Sequence, residues 1–191
     1  MKRTASMPIG VFDSGVGGLT VLQALAARMP REALAYFGDT AHIPYGSKSA
    51  EAVTRFSLEV ARFLKRLRIK LLVVACNTAS ALALPRLQRE LGLPVIGVIE
   101  PGARAAASAT RNRRIGIIAT EATIASGAYQ TALRALLPGL RPVAKACPLF
   151  VPLVEEGWWS HPVTFAVARE YLAPVAREGI DTLILGCTHY P

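Results

Sequence analysis

The chain has 191 residues, 52% of them hydrophobic, with three cysteines and a formal net charge of +9. That length allows one α/β domain or two small ones with a real core, while no apolar run approaches the roughly 18 residues of a membrane span. Lys2 and Arg3 precede an apolar segment too short for a signal peptide, and three cysteines without CxxC spacing make neither a disulfide framework nor a zinc site, so a reduced, cytoplasmic protein is expected.

In chain order, Ile9 to Asp13 (IGVFD) is a first strand and Ser14 to Gly18 a glycine-rich turn. Leu19, Leu22, Leu25, Ala26 and Met29 then keep helical period up to Pro30. Ala35 to Phe37 is a short second strand ending in Gly38 and Asp39, and the polar loop TAHIPYGSKS follows. In Val53 to Leu67, the residues Val53, Phe56, Val60, Phe63, Leu64 and Leu67 share one helical face, opposite Arg55, Glu59, Arg62 and Arg66. Such solvated faces account for the positive charge better than a nucleic-acid groove does, because no binding motif accompanies it.

Leu71 to Ser80 (LLVVACNTAS) reads as a buried parallel strand feeding a helix, with Cys76, Asn77 and Thr78 on the turn between. That helix ends near Leu91, where Gly92 and Pro94 supply stop signals; Pro85 inside it implies a kink or a restart. Val95 to Ile99 is another strand, broken by Glu100-Pro101-Gly102, and the domain boundary is placed there: residues 1–99 and 100–191. Ala103 to Ala109 reads as a helix, Ile115 to Thr120 as a strand, and a further helix runs to about Leu137. Pro142 to Phe150 is extended. Pro162 opens a helix whose Phe165, Ala168, Leu172 and Val175 face the core, Gly179 follows it, and Thr182 to Leu185 is the last strand.

The alternation of strand and helix predicts an α/β architecture. TLILGCTHY, Thr182 to Tyr190, repeats the scheme of the Cys76 stretch, and Asp13 precedes Cys76 by nearly the interval that separates Thr120 from Cys187. Two similar, pseudo-symmetric lobes with mostly parallel sheets are therefore expected, flanked by helices, each with one cysteine at a strand's carboxyl end and a cleft between them. Each cysteine is also expected to precede a helix N-terminus, which favours the thiolate and lowers its pKa.

Such a cysteine can be a nucleophile, a redox thiol, a metal ligand or a base. A metal is poorly supported, since His189 is the only nearby histidine, and a lone nucleophile leaves the second cysteine unexplained. Two cysteines facing each other suit inversion of a stereocentre, in which one thiolate takes the α-proton and the opposite thiol returns one. Backbone N–H groups, Asn77, Thr78 and Thr188 are of the right type to hold the charge that develops on the adjacent carboxylate. Asp13 can alternatively cap the next helix. The turn Gly15-x-Gly17-Gly18 fails the GxGxxG pattern at Thr20, so its glycines are read as room for close backbone approach. His42 and His161 are read as surface or capping residues, Cys147 as packing, and Trp158 and Trp159 as packing or an interface.

IGVFDSGVGGLTVL, PYGSKS, ACNTASA, GVIEPG, CPLFVPLVEEG and LGCTHYP, in that order, resemble glutamate racemase, of the cofactor-independent aspartate/glutamate racemase superfamily. The resemblance covers the chain from Ile9 onward. It implies a cytoplasmic enzyme interconverting L- and D-glutamate, the D-form destined for peptidoglycan, without pyridoxal phosphate, metal or nucleotide. By the same resemblance Cys76 acts on D-glutamate and Cys187 on L-glutamate, assisted by Asp13 and His189 respectively. Asp13, Ser14, Tyr45, Gly46, Asn77, Thr78, Thr188 and His189 are the implied substrate contacts. Pro44, Thr120 and Thr123 are further candidates, and Glu155 rather than Glu156 is a further acidic group. The expected partner is the small-molecule substrate, with no membrane and no nucleic acid; a homodimer is left open. Racemases acting on aspartate or a hydantoin, or an inactive scaffold acting as a basic binding protein, are the competing readings. Family members are expected to continue past Pro191 by roughly 60 to 80 residues, within the usual domain range, so the second lobe is expected to be incomplete, with its C-terminal part missing.

Overall fold

The computed structural model describes residues 6–191, so Lys2 and Arg3 lie outside the described residues. The chain divides into two compact units between Val98 and Ile99.

The first unit is built on four parallel strands, β1 (Ile9–Asp13), β2 (Leu34–Gly38), β3 (Leu71–Val74) and β4 (Val95–Gly97), in the order β2-β1-β3-β4. Alternate side chains of the central strands leave opposite faces of the sheet. Ile9, Val11, Val73 and Ala75 pack against Val21, Leu22, Leu25 and Met29, along helix α1 (Leu19–Arg28) and just past its end. Phe12, Leu72 and Val74 turn to the other face. There they meet α2 (Ala50–Arg66), α3 (Asn77–Leu82) and α4 (Leu84–Leu91). Both faces are covered, which is why β1 is apolar without alternation up to Phe12 and wholly buried.

Helix α2 begins at Ser49, whose Oγ accepts the Ala52 N–H, and its buried stripe runs through Val53, Ser57, Val60, Ala61 and Leu64. The expected apolar face ends earlier than its periodicity suggests. Phe63 and Leu67 are exposed, as the stripe drifts round toward Ser57 and Ala61, small residues that let the helix approach the sheet. Pro85 marks a restart rather than a kink: α3 closes at Leu82, and α4 opens with proline in its first turn, where a missing N–H costs nothing. Gly92 then ends α4 in the left-handed conformation, at φ 65°.

In the second unit the order is β6-β5-β7, again all parallel, from β5 (Ile115–Ala119), β6 (Val143–Ala146) and β7 (Thr182–Gly186). Its helices are α5 (Ile99–Ala109), α6 (Glu121–Ser126), α7 (Ala128–Leu136), α8 (Phe150–Glu155) and α9 (Pro162–Arg177). Several expectations are corrected here. The strand expected to run to Ile99 ends at Gly97, and Glu100-Pro101-Gly102, expected to follow it as a break, lie in the first turn of α5, the turn that tolerates proline. The single helix expected up to Leu137 is two, divided at Gly127 (φ 67°). The segment expected to be extended up to Phe150 is a strand only to Ala146 and then turns into α8. In α9 only Val175 is fully buried; Ala168 and Leu172 are half-buried, and Phe165 is 59% exposed. On β7, Ile184 and Gly186 face inward while Leu183 and Leu185 are exposed. No helix among the described residues is long and apolar enough to cross a membrane.

Strand by strand, β2-β1-β3 of the first unit corresponds to β6-β5-β7 of the second. Asp13 thus ends β1 as Thr120 follows β5, and Cys76 follows β3 as Cys187 follows β7. The weak repeat in the sequence is a repeat of topology.

Candidate active site

Each unit gathers polar residues at the carboxyl ends of its central strands, where parallel α/β sheets offer open backbone groups. In the first unit the chain leaves β3 through Ala75, and Cys76 takes the N-cap position of α3 in extended conformation. Its Sγ accepts the Ala79 N–H at 3.4 Å and donates to Ser14 Oγ at 3.5 Å. Asn77 and Thr78 are buried in the first turn of α3. Ser80 ties the helix down, donating to the Val74 carbonyl (2.9 Å) and accepting the Val98 N–H (3.2 Å).

Asp13, wholly buried, stands on the neighbouring strand. Its Oδ2 accepts the N–H groups of Gly15 (3.0 Å) and Gly18 (3.1 Å), so the carboxylate organises the turn that leads into α1. Asp13 thus holds the turn rather than capping α1 itself, whose N-cap is Gly18. Glycine is required at position 18 because a Cβ there would fall 2.4 Å from Asp13 Cβ. The Tyr36 hydroxyl donates to the Gly15 carbonyl (2.6 Å) and braces the same turn.

The expected low pKa of Cys76 is not found. Burial, and next the negative charge of Asp13, push the thiol up to about 11, against the lowering effect of the Ser14 and Ala79 contacts. One short helix end does not offset the loss of water around a fully buried sulfur. At neutral pH Cys76 is a protonated thiol, competent to donate.

The loop after β2 forms two 3-10 turns, Thr40–His42 and Tyr45–Ser47, with a cis peptide before Pro44. Pro44 is exposed, Gly46 half-buried and Tyr45 only 2% exposed. The Tyr45 hydroxyl donates to Asp39 Oδ2 at 2.6 Å, and its ring packs edge-on to Phe12. The Tyr45 phenol is therefore engaged inward, on Asp39. His42, expected at the surface or in a cap, is half-buried, paired to Asp39 at 2.8 Å and stacked on Phe56. Sequence reasoning misses Asp39 as a site-related residue, and the only signal it offers is a carboxylate directly after a strand.

In the second unit, Thr120 caps α6, accepting the Thr123 N–H (3.3 Å), and the two threonine hydroxyls, both buried, are 2.9 Å apart. Cys187 lies in the other loop of this end. Its Sγ is 3.7 Å from His189 Nδ1, and His189 Nε2 is 2.5 Å from Glu155 Oε1. Thr188 and His189 form a turn, closed by the Tyr190 N–H on the Cys187 carbonyl. Tyr190 anchors that turn: its hydroxyl donates to the Cys147 carbonyl (3.0 Å) and its ring meets Phe150 edge-on. Thr188 is half-buried on the same turn. Glu155, and not Glu156, is the acidic residue that the structure brings to His189. Cys147 is buried and its thiol raised to about 11, chiefly by burial. Trp158 packs against the His161 ring at a tilt, 4.4 Å between centroids, and Trp159 is 70% exposed. His161 itself caps α9 through Nδ1, as expected.

The first unit thus presents a buried thiol beside a carboxylate, and the second a thiol beside a histidine oriented by a carboxylate, which is the arrangement of an activated acid/base. Among the described residues no group of three or more His, Cys, Asp or Glu side chains is placed to hold a metal ion.

A family model described as Asp/Glu/Hydantoin racemase matches residues 14–191. A glutamate racemase from Geobacter metallireducens is 60% identical over 183 residues, which are 96% of this chain and 68% of that protein. A glutamate racemase isoform from Bacillus anthracis superposes with a TM-score of 0.94 at 46% identity, over 98% of this chain and 70% of that one. The glutamate racemase of Francisella tularensis, solved in complex with D-glutamate, gives a TM-score of 0.92 at 42% identity, over 98% and 70%. Two parallel sheets of matching topology, a cysteine after each third strand and this degree of identity agree: the chain belongs to the Asp/Glu/hydantoin racemase family, among its glutamate racemases.

Proposed function

We propose that this chain interconverts L- and D-glutamate by two-base proton transfer at the α-carbon, without a cofactor, and so supplies D-glutamate for peptidoglycan in the cytoplasm. The observation that carries the reading is the equivalence of Cys76 and Cys187, each at the carboxyl end of the corresponding strand and each beside an acid/base partner.

The two thiols are not equivalent at rest. Cys76, buried and next to Asp13, stays protonated. Cys187 has His189 Nδ1 at hand as proton acceptor, with Glu155 holding the ring from its far nitrogen. For L-glutamate, the Cys187 thiolate takes the α-proton, and the electron pair of the C–H bond delocalises into the adjacent carboxylate. The Cys76 S–H then delivers its proton to the opposite face, giving D-glutamate, a Cys187 thiol and a Cys76 thiolate. D-glutamate runs the sequence in reverse, with the Asp13 carboxylate, whose charge acts on Cys76, assisting transfer of the Cys76 proton. Ser14, the main chain of Tyr45 and Gly46, Asn77, Thr78 and Thr188 hold the substrate, with Pro44, Thr120 and Thr123 at its margin. N–H and hydroxyl donors of this kind stabilise the charge that grows on the carboxylate. Nothing in the reaction requires a nucleic-acid or membrane partner.

The test is α-proton exchange in D2O from each enantiomer of glutamate, aspartate and a hydantoin, combined with racemisation followed by circular dichroism. Glutamate should exchange fastest, and Cys76→Ser and Cys187→Ser should each abolish net racemisation. Faster exchange of aspartate or hydantoin would overturn the substrate; undiminished racemisation by either variant would overturn the mechanism.

A further inference from the structure

The loop that carries Pro44, Tyr45 and Gly46 has no strand or long helix to hold it, yet the proposed reaction needs its main chain in a fixed place. One carboxylate does the holding. Asp39 is 6% exposed and directly follows β2. Its main-chain N–H donates to the Asp13 carbonyl at 2.9 Å, which registers it against the strand end beside Cys76. Its side chain reaches the other way, accepting the Tyr45 hydroxyl on Oδ2 at 2.6 Å and facing His42 Nδ1 from Oδ1 at 2.8 Å. Burial and this contact keep the Tyr45 phenol protonated, so it remains a donor. The His42 ring lies flat on Phe56 at 3.9 Å between centroids, and Tyr45 fills the space beside Phe12.

We propose that Asp39 is a positioning residue of the racemase, a single carboxylate that couples the Asp13 strand end to the Tyr45–Gly46 main chain through Tyr45 and His42. This rests on the racemase reading above. A buried carboxylate is costly to leave without donors, so Tyr45 and His42 hold it as firmly as it holds them. The 3-10 turn Tyr45–Ser47 packs on α3, the helix that opens with Asn77 and Thr78. Releasing the Tyr45 hydroxyl frees that turn to move away from the substrate while Cys76, Asp13 and Ser14 keep their places. The defect should therefore fall on binding, not on proton transfer.

Asp39→Ala is expected to raise KM for glutamate by about tenfold or more while kcat stays within about threefold. Asp39→Asn keeps an oxygen that can accept the Tyr45 hydroxyl and should recover most of the affinity; Tyr45→Phe should reproduce the Asp39→Ala defect. A readout independent of turnover is amide hydrogen exchange at Lys48, whose N–H bonds the Tyr45 carbonyl at 3.1 Å. Its exchange should accelerate about tenfold in Asp39→Ala, with α2 unaffected. Unchanged KM and unchanged Lys48 exchange in a folded Asp39→Ala chain overturn the proposal. Should Asp39→Ala fail to fold, a Tyr45→Phe chain with wild-type KM overturns it equally. A wild-type chain that exchanges no glutamate α-proton refutes the racemase reading instead, and Lys48 exchange still decides whether Asp39 holds the loop.

Discussion

Cys76 should make the first unit sensitive to alkali in a way that one substitution removes. Its thiol is raised from 9.0 to about 11 in the folded chain, chiefly by burial and then by the charge of Asp13. Between these values the unfolded chain has lost the thiol proton and the folded chain still holds it. Stability from this group is therefore complete below about pH 9 and falls as pH rises through about 11. A gap of that width between the folded and the unfolded chain corresponds to about 3 kcal/mol, an upper figure because other groups relax around a new charge. The assay is urea unfolding of the wild-type chain and of Cys76→Ala at matched pH values from neutral to strongly alkaline. Tyrosines and lysines titrate in both, so the difference between the two curves isolates the thiol. The wild-type chain should lose up to about 3 kcal/mol more than the variant across that window. Parallel pH curves would mean that Cys76 is not held as a thiol by burial, and the assignment of Cys76 as the resting acid would fall with it.

Four further outcomes follow from particular contacts. Asp13→Asn removes the second cause of the raised thiol pKa, so the alkaline loss should shrink and move to lower pH in the same unfolding series. Glu155→Gln weakens the hold on His189 Nε2, and should slow α-proton exchange from L-glutamate by at least about tenfold while altering exchange from D-glutamate less, as read by NMR in D2O. Tyr36→Phe deletes the hydrogen bond to the Gly15 carbonyl, and should cost about 1 kcal/mol in urea unfolding without changing the sheet. Leu87→Ala empties a fully buried site under α4, and should cost about 2 to 5 kcal/mol by the same measurement.

The strands are legible because each is a short apolar run closed by a polar or small residue, and the cysteines because they fall at such closures. Helix ends are less so. Phe63 and Phe165 match helical periodicity yet are exposed, because periodicity records which residues share a face and not whether a neighbour covers that face. Pro101 and Pro85 read as breakers, but both sit in first turns, where proline is compatible with the helix. The Tyr190 hydroxyl on the Cys147 carbonyl joins residues far apart in sequence and leaves no local pattern at all.

By itself the sequence determined the α/β alternation, the repeated strand-end cysteines and the family, since all of these depend on residue order within short windows. Only the tertiary structure decided that Cys76 is held as a thiol rather than a thiolate, that Glu155 is the acid on His189, and that Tyr45 turns its phenol inward to Asp39. The reason is physical. Propensity and periodicity are local, whereas desolvation and hydrogen-bond pairing depend on which distant atoms exclude water from a group, and only the packed fold brings those atoms together.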